Sequence, residues 1–155
     1  MEMETMGKVS VRARIENLED LYEAAKGALP AQKARAVEID DALVDTGATM
    51  LWLPRRLIDQ LGLRRHRTRT ARTAAGTFSF GIYDAVRLTV HGRDCVVEVV
   101  EVAEVPEVPE GCPALIGQVP LELLDFVVDP VGQKRIGNPD HAGEQMIDLF
   151  HRCLD

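Results

Sequence analysis

Cysteine is scarce in this 155-residue chain, and the three that occur, Cys95, Cys112 and Cys153, are odd in number and unrelated in spacing. That argues against a disulfide framework and against a paired-cysteine metal site, and it points to a reducing, cytosol-like compartment. A basic surplus is missing too: 18 Lys and Arg against 25 Asp and Glu leave a formal net charge of −7. Nucleic acid is therefore not expected as a partner, because phosphate binding needs a clear positive excess. No stretch reaches the roughly 18 apolar residues of a membrane span. The opening "MEMETMGK" is acidic and precedes no long apolar run, so neither a membrane nor an address elsewhere is expected, and the location read is cytoplasmic. The four histidines, at 66, 91, 141 and 151, lack the paired spacing of a zinc site, and no serine or cysteine lies in a nucleophile motif. No metal and no cofactor are expected.

What is present suits one soluble domain. With 46% apolar and 28% charged residues, a chain of this length buries a modest core. The reading is a single domain over 1–155, with its core at about 8–140 and an irregular tail at 141–155. "KVSVRARI" (8–15) alternates Val9, Val11, Ala13 and Ile15 with polar residues, the period of a half-buried strand. Leu18, Leu21, Tyr22 and Ala25 follow at helical spacing, with Asn17 as N-cap and Gly27 and Pro30 as stops. "ARAVEIDDALV" (34–44) returns to strand character, and "LPRRLIDQLGL" (53–63) predicts a short helix or turn closed by Gly62. Alternating runs broken at Ala75-Gly76 and His91-Gly92 predict two consecutive hairpins. "AEVPEVPEGCP" is punctuated by proline and reads as a loop. "ALIG" (114–117) predicts a short buried strand, "QVPLELLDF" a helix with Pro120 in its first turn, and "VVDPVGQKRI" a last hairpin.

The stretch with chemistry in it is "DALVDTGATMLWLP" (41–54). Asp45-Thr46-Gly47 alone is a common turn sequence. Its context is less common: Leu43 and Val44 read as buried strand residues, so Asp45 is expected where a strand ends inside the core, and a carboxylate there needs hydrogen bonds to offset desolvation.

"ALVDTGAT", a "LGL" shortly after it, a Gly-tipped hairpin and then "ALIG" occur in the order that resembles a retropepsin-like aspartic protease, of the prokaryotic type with one catalytic motif per chain. The resemblance covers about 8 to 140. It implies a mostly β, closed-barrel fold with short helices and one half-site per chain. It also implies two aspartates that share a proton and activate a water for attack on a peptide carbonyl. Because the chain holds one such motif, the implied enzyme is a homodimeric endopeptidase supplying Asp45 twice. Thr46 is then expected to hydrogen-bond across the dyad, Gly47 to let backbone approach closely, and Ala48 to keep the wall small. Ile116 and Gly117 are expected under the Asp45 loop. "RTAAGTFSFGI" (72–82), with Ala75, Gly76, Thr77 and Phe78, and with Phe80 beside them, becomes the flap over a peptide or protein substrate.

Retroviral relatives often carry an acidic residue after the four-residue motif and an arginine after the hydrophobic-Gly pair; here Thr49 and Gln118 stand there, both neutral. The same fold also admits a non-catalytic dimeric module that binds peptides or scaffolds a partner. "RRHRTRTAR" (64–72) reads as a solvated edge strand rather than a nucleic-acid patch, since it lacks interleaved aromatics. The glutamates at 98, 101, 104, 107 and 110 read as mostly exposed.

Overall fold

A computed structural model describes residues 8–74, 76–101, 114–129, 134–137, 141 and 144–146. β1 (Lys8–Asn17) leads directly into α1 (Leu18–Ala25), whose first turn is capped by the Asn17 side chain accepting from the Asp20 N–H. β2 (Ala36–Asp45) returns antiparallel along β1 and ends on the aspartate of the motif. A loop then gives way to β3 (Leu51–Leu53) and α2 (Arg55–Leu61), which stops at Gly62 in the left-handed region with φ of 66°. β4 (Arg65–Thr73), β5 (Gly76–Val90) and β6 (Arg93–Glu101) form two hairpins that share the fifteen-residue β5. β7 (Leu115–Ile116), α3 (Gln118–Leu124) and a final antiparallel pair, β8 (Phe126–Asp129) with β9 (Lys134–Gly137), complete the described chain.

The main sheet runs β1-β2-β7-β3-β6-β5-β4, and β1 pairs with β5 as well. Six strands therefore form a closed ring, with β4 outside it as the edge. Closure leaves β4 with the exposed backbone edge, and its arginines manage it: Arg67 pairs with Glu98, while Arg64, just ahead of it, pairs with Asp84 and Glu19. The ring is filled by Ile15, Val44, Leu51, Leu53, Ile58, Leu61, Leu88, Leu121 and Leu124, each under 2% exposed. The two parallel pairings, β2 with β7 and β3 with β6, join segments far apart in sequence.

The alternation-based strands, both short helices before residue 63, the two central hairpins, "ALIG", the helix through Pro120 and the last hairpin all occur as read. β3 is an addition, since three residues are too few to show a period. The Pro-punctuated loop and most of the tail lie outside the described residues. No helix among the described residues is long and apolar enough to cross a membrane.

Candidate active site

Asp45 is the last residue of β2 and is half-buried, whereas Val44 beside it is 1% exposed. The position departs from the expectation of a carboxylate enclosed in the core. Alternation explains it: Ala42 and Val44 face the core, so Leu43 and Asp45 take the other face of the sheet. The carboxylate is held by the loop that follows it. The Gly47 N–H donates to Asp45 Oδ1 at 2.8 Å, and the Ala48 N–H donates to the Asp45 carbonyl at 3.1 Å. A side chain at Gly47 would bring its Cβ to 3.2 Å from that same Oδ1. Thr46 and Gly47 are exposed and Ala48 is half-buried.

The loop lies against β7 and the start of α3. Backbone N–H groups of Gly117, Gln118 and Val119 donate to the carbonyls of Met50, Ala48 and Thr49 at 2.8, 2.8 and 3.0 Å. Ile116, 1% exposed, sits in the core beside Val44 and Leu51 in register. Gly117 has no room for a side chain: a Cβ there would meet Met50 O at 2.6 Å, Thr49 C at 2.7 Å and Ala48 C at 2.8 Å. Ile116 and Gly117 thus come together with the Asp45 loop. The neutral Gln118 side chain donates to Glu122 at 3.2 Å, and backbone bonds join its segment to the 48–50 loop.

The β4–β5 hairpin projects from the ring with Thr73 opposite Gly76, a two-residue connection at its tip. Ala75 lies outside the described residues. Gly76 has φ of 127°, which side-chain-bearing residues rarely adopt, and open space around it. Thr77 is exposed, while Phe78 and Phe80 are half-buried on one face. Phe80 meets Trp52 of β3, ring centroids 5.7 Å apart and planes at 47°.

Trp52 was not among the residues singled out from sequence, although its place between core residues Leu51 and Leu53 forces it to the Asp45 face. Nearby, Arg55 donates to the Tyr83 hydroxyl and to Glu101, each at 3.0 Å. Burial, then the charge of Glu101, pushes the Tyr83 phenol up, and the hydrogen bond to Glu101 raises the Arg55 guanidinium. The cluster ties α2 to the end of the β5–β6 hairpin. Cys95 is buried, and that burial pushes its thiol up to about 12, so it is a core group rather than a nucleophile.

A ring of strands with Asp-Thr-Gly at the end of one strand, laced to a Leu-Ile-Gly segment beneath, is the arrangement of the retropepsin-like class. The family model for aspartyl proteases matches residues 25–120, well over half of the sequence, and the chain belongs to that family. Among solved structures it aligns with the solution structure of Simian Foamy Virus (mac) protease, at 20% identity over 75% of this chain and 94% of that chain, with a TM-score of 0.44. No curated protein sequence matches it.

Proposed function

We propose that the chain is a homodimeric aspartic endopeptidase in which Asp45 of each protomer forms the catalytic pair. The observation that carries this is the single motif carboxylate, oriented by the Gly47 N–H yet half open to solvent at a strand end. One carboxylate cannot act as base and acid at once, and a two-fold contact through the 45–48 loop brings a second. In the pair, the ionised carboxylate takes a proton from water as the oxygen attacks the peptide carbonyl, and the protonated one donates to the carbonyl oxygen. The resulting tetrahedral diol collapses as a proton passes to the leaving nitrogen. Thr46 hydrogen-bonds across the pair, Gly47 and Ala48 form the wall, and Ile116 and Gly117 support the loop from beneath. The 75–78 tip, with Ala75, Gly76, Thr77 and Phe78, closes over a peptide or protein substrate and excludes water. In this reading 1–155 is a single domain working in the cytoplasm without metal or cofactor.

The test is Asp45→Asn on a denatured protein substrate, with the variant also mixed into wild type. The variant alone is expected to be inactive with an unchanged fold by circular dichroism. At tenfold excess it should leave only about a tenth of wild-type chains paired with wild type, and activity should fall accordingly. Activity that scales simply with the amount of wild-type chain would mean the site is not shared. An active variant would reject the aspartic mechanism, and a wild type without activity would leave the non-catalytic peptide-binding module as the better account of the fold.

A further inference from the structure

On the face that Asp45 shares, the strands carry a second apolar layer separate from the core. Leu43 is in register with Leu115, Leu115 with Trp52, Trp52 with Val100, and Val100 with Ile82. Ile82, Val100 and Leu115 are buried, yet they pack outside the cluster that fills the ring. Trp52 and Phe80, ring against ring, stand on the same face. Neighbouring strands lie about 4.8 Å apart, so Trp52, two strands from Leu43, stands roughly 10 Å across the face from it. Within this layer the Trp52 Nε1–H is buried and has no hydrogen-bond partner, alone in that respect among the described side chains. A buried donor left unpaired costs on the order of 1–3 kcal/mol. The rim of the same layer is cationic: Arg69 lies directly across from Phe80 in the hairpin, which puts both side chains on one face, and Arg69 is exposed.

We propose that Trp52 is a specificity-determining residue whose indole N–H donates to a substrate side chain ending in a carboxylate or carboxamide oxygen, with glutamate favoured over glutamine by Arg69. The inference rests on the peptidase reading above and names the substrate chemistry of that site. The side chain's methylenes lie along Phe80, its terminal oxygen accepts the orphan N–H as the hairpin that carries Phe80 lifts from Trp52, and the guanidinium of Arg69 screens the charge at the mouth.

The experiment scans Leu, Gln and Glu through the positions flanking the scissile bond of one peptide, using wild type, Trp52→Phe and Arg69→Gln. At one position wild type is expected to prefer Glu to Gln and Gln to Leu, the last by about tenfold in kcat/KM. Trp52→Phe should abolish the Gln-over-Leu ratio, and Arg69→Gln should lower only Glu over Gln. The indole N–H resonance of full-length Asp45→Asn protein, titrated with the Glu and Leu peptides, gives a readout independent of turnover and of how Trp52→Phe folds: a downfield shift with Glu alone supports the proposal. Cleavage with no such preference, or a preference that survives Trp52→Phe, overturns it while the peptidase reading stands. An indole shift without cleavage of any peptide supports the site but removes the peptidase reading. Neither cleavage nor shift overturns both.

Discussion

The Gly117 N–H donates to the Met50 carbonyl at 2.8 Å, and the Cα hydrogen of Gly117 occupies the place where a Cβ would stand 2.6 Å from that same oxygen. The strand under the Asp45 loop and the loop itself are thus packed backbone to backbone. Gly117→Ala must push them apart, because all three atoms in the way belong to the main chain. Overpacking of this kind costs about 1–3 kcal/mol. A chemical-denaturation midpoint lowered by that amount, together with at least tenfold lower peptide turnover, is expected; unchanged stability would mean that the loop yields freely.

Asp20 and Arg35 brace the far side of the ring. The Arg35 Nε and NH2 groups donate to the two Asp20 carboxylate oxygens at 2.7 and 3.0 Å, and the Arg35 backbone N–H adds a third bond at 2.9 Å. The side-chain bonds from Arg35, more than its charge, hold the Asp20 carboxyl below the usual carboxylate range against the opposing effect of burial. A lowered folded value means stabilisation that is present above the unfolded value of about 4 and is lost as pH falls through the lowered one. Wild-type stability should therefore decline in acid, and Asp20→Asn should show a shallower decline from a start about 1–2 kcal/mol lower at neutral pH. Urea titrations between pH 3 and 7 on both proteins measure this; parallel curves would remove Asp20 from the account.

Asp84 works in the same direction by other means. Burial raises its carboxyl, but bonds from the Arg64 backbone and side chain and from His66 outweigh that and leave it lowered. It occupies the bulge between Tyr83 and Ala85, where the hairpin meets the ring. Asp84→Asn is expected to cost about 1–3 kcal/mol and to raise amide hydrogen exchange in 65–82 more than in β1. Uniform exchange through both segments would show that the bulge does not root the hairpin.

Gly76→Val separates conformational strain from steric clash, because the backbone there is left-handed in sense while nothing lies within 4 Å of its Cβ. The ring should be unaffected, with a melting temperature within a few degrees of wild type, while the tip must take another turn. If this hairpin closes over substrate, kcat/KM falls by about tenfold or more. Undiminished turnover would assign closure to another segment.

Much of the ring was legible because its strands alternate: Val9 to Ile15 and Val86 to Val90 announce their inward faces residue by residue. Asn17 and Gly62 marked helix ends by chemistry that acts within a single turn. Three things were not local enough to read. β3 is only Leu51–Leu53, and its identity comes from lying between β6 and β7, distant in sequence. The half-open state of Asp45 depends on which face of β2 meets the core, and "LVD" reads equally well as a buried run. Trp52 stood in plain view as the lone tryptophan, but its significance comes from Phe80 and from an unpaired N–H, both consequences of packing. The packing of Leu-Ile-Gly under the Asp45 loop was anticipated only through the family resemblance, and its physical reason, the lack of room for a side chain at Gly117, became visible in the packing.

Closing the ring through β1 and β5 sets a kinetic condition on reaching it. Glu16 and Arg87, paired across that closure, are 71 residues apart, and β2 waits for β7 over a similar stretch. Local hairpins such as β5–β6 form on the order of microseconds, but each of these long-range pairings must first repay the entropy of a large loop. Folding in the millisecond-to-second range follows. Until then β1 and β2 carry unsatisfied edges, so a nascent chain passes through an aggregation-prone interval that ends only when its first strand finds its fifth.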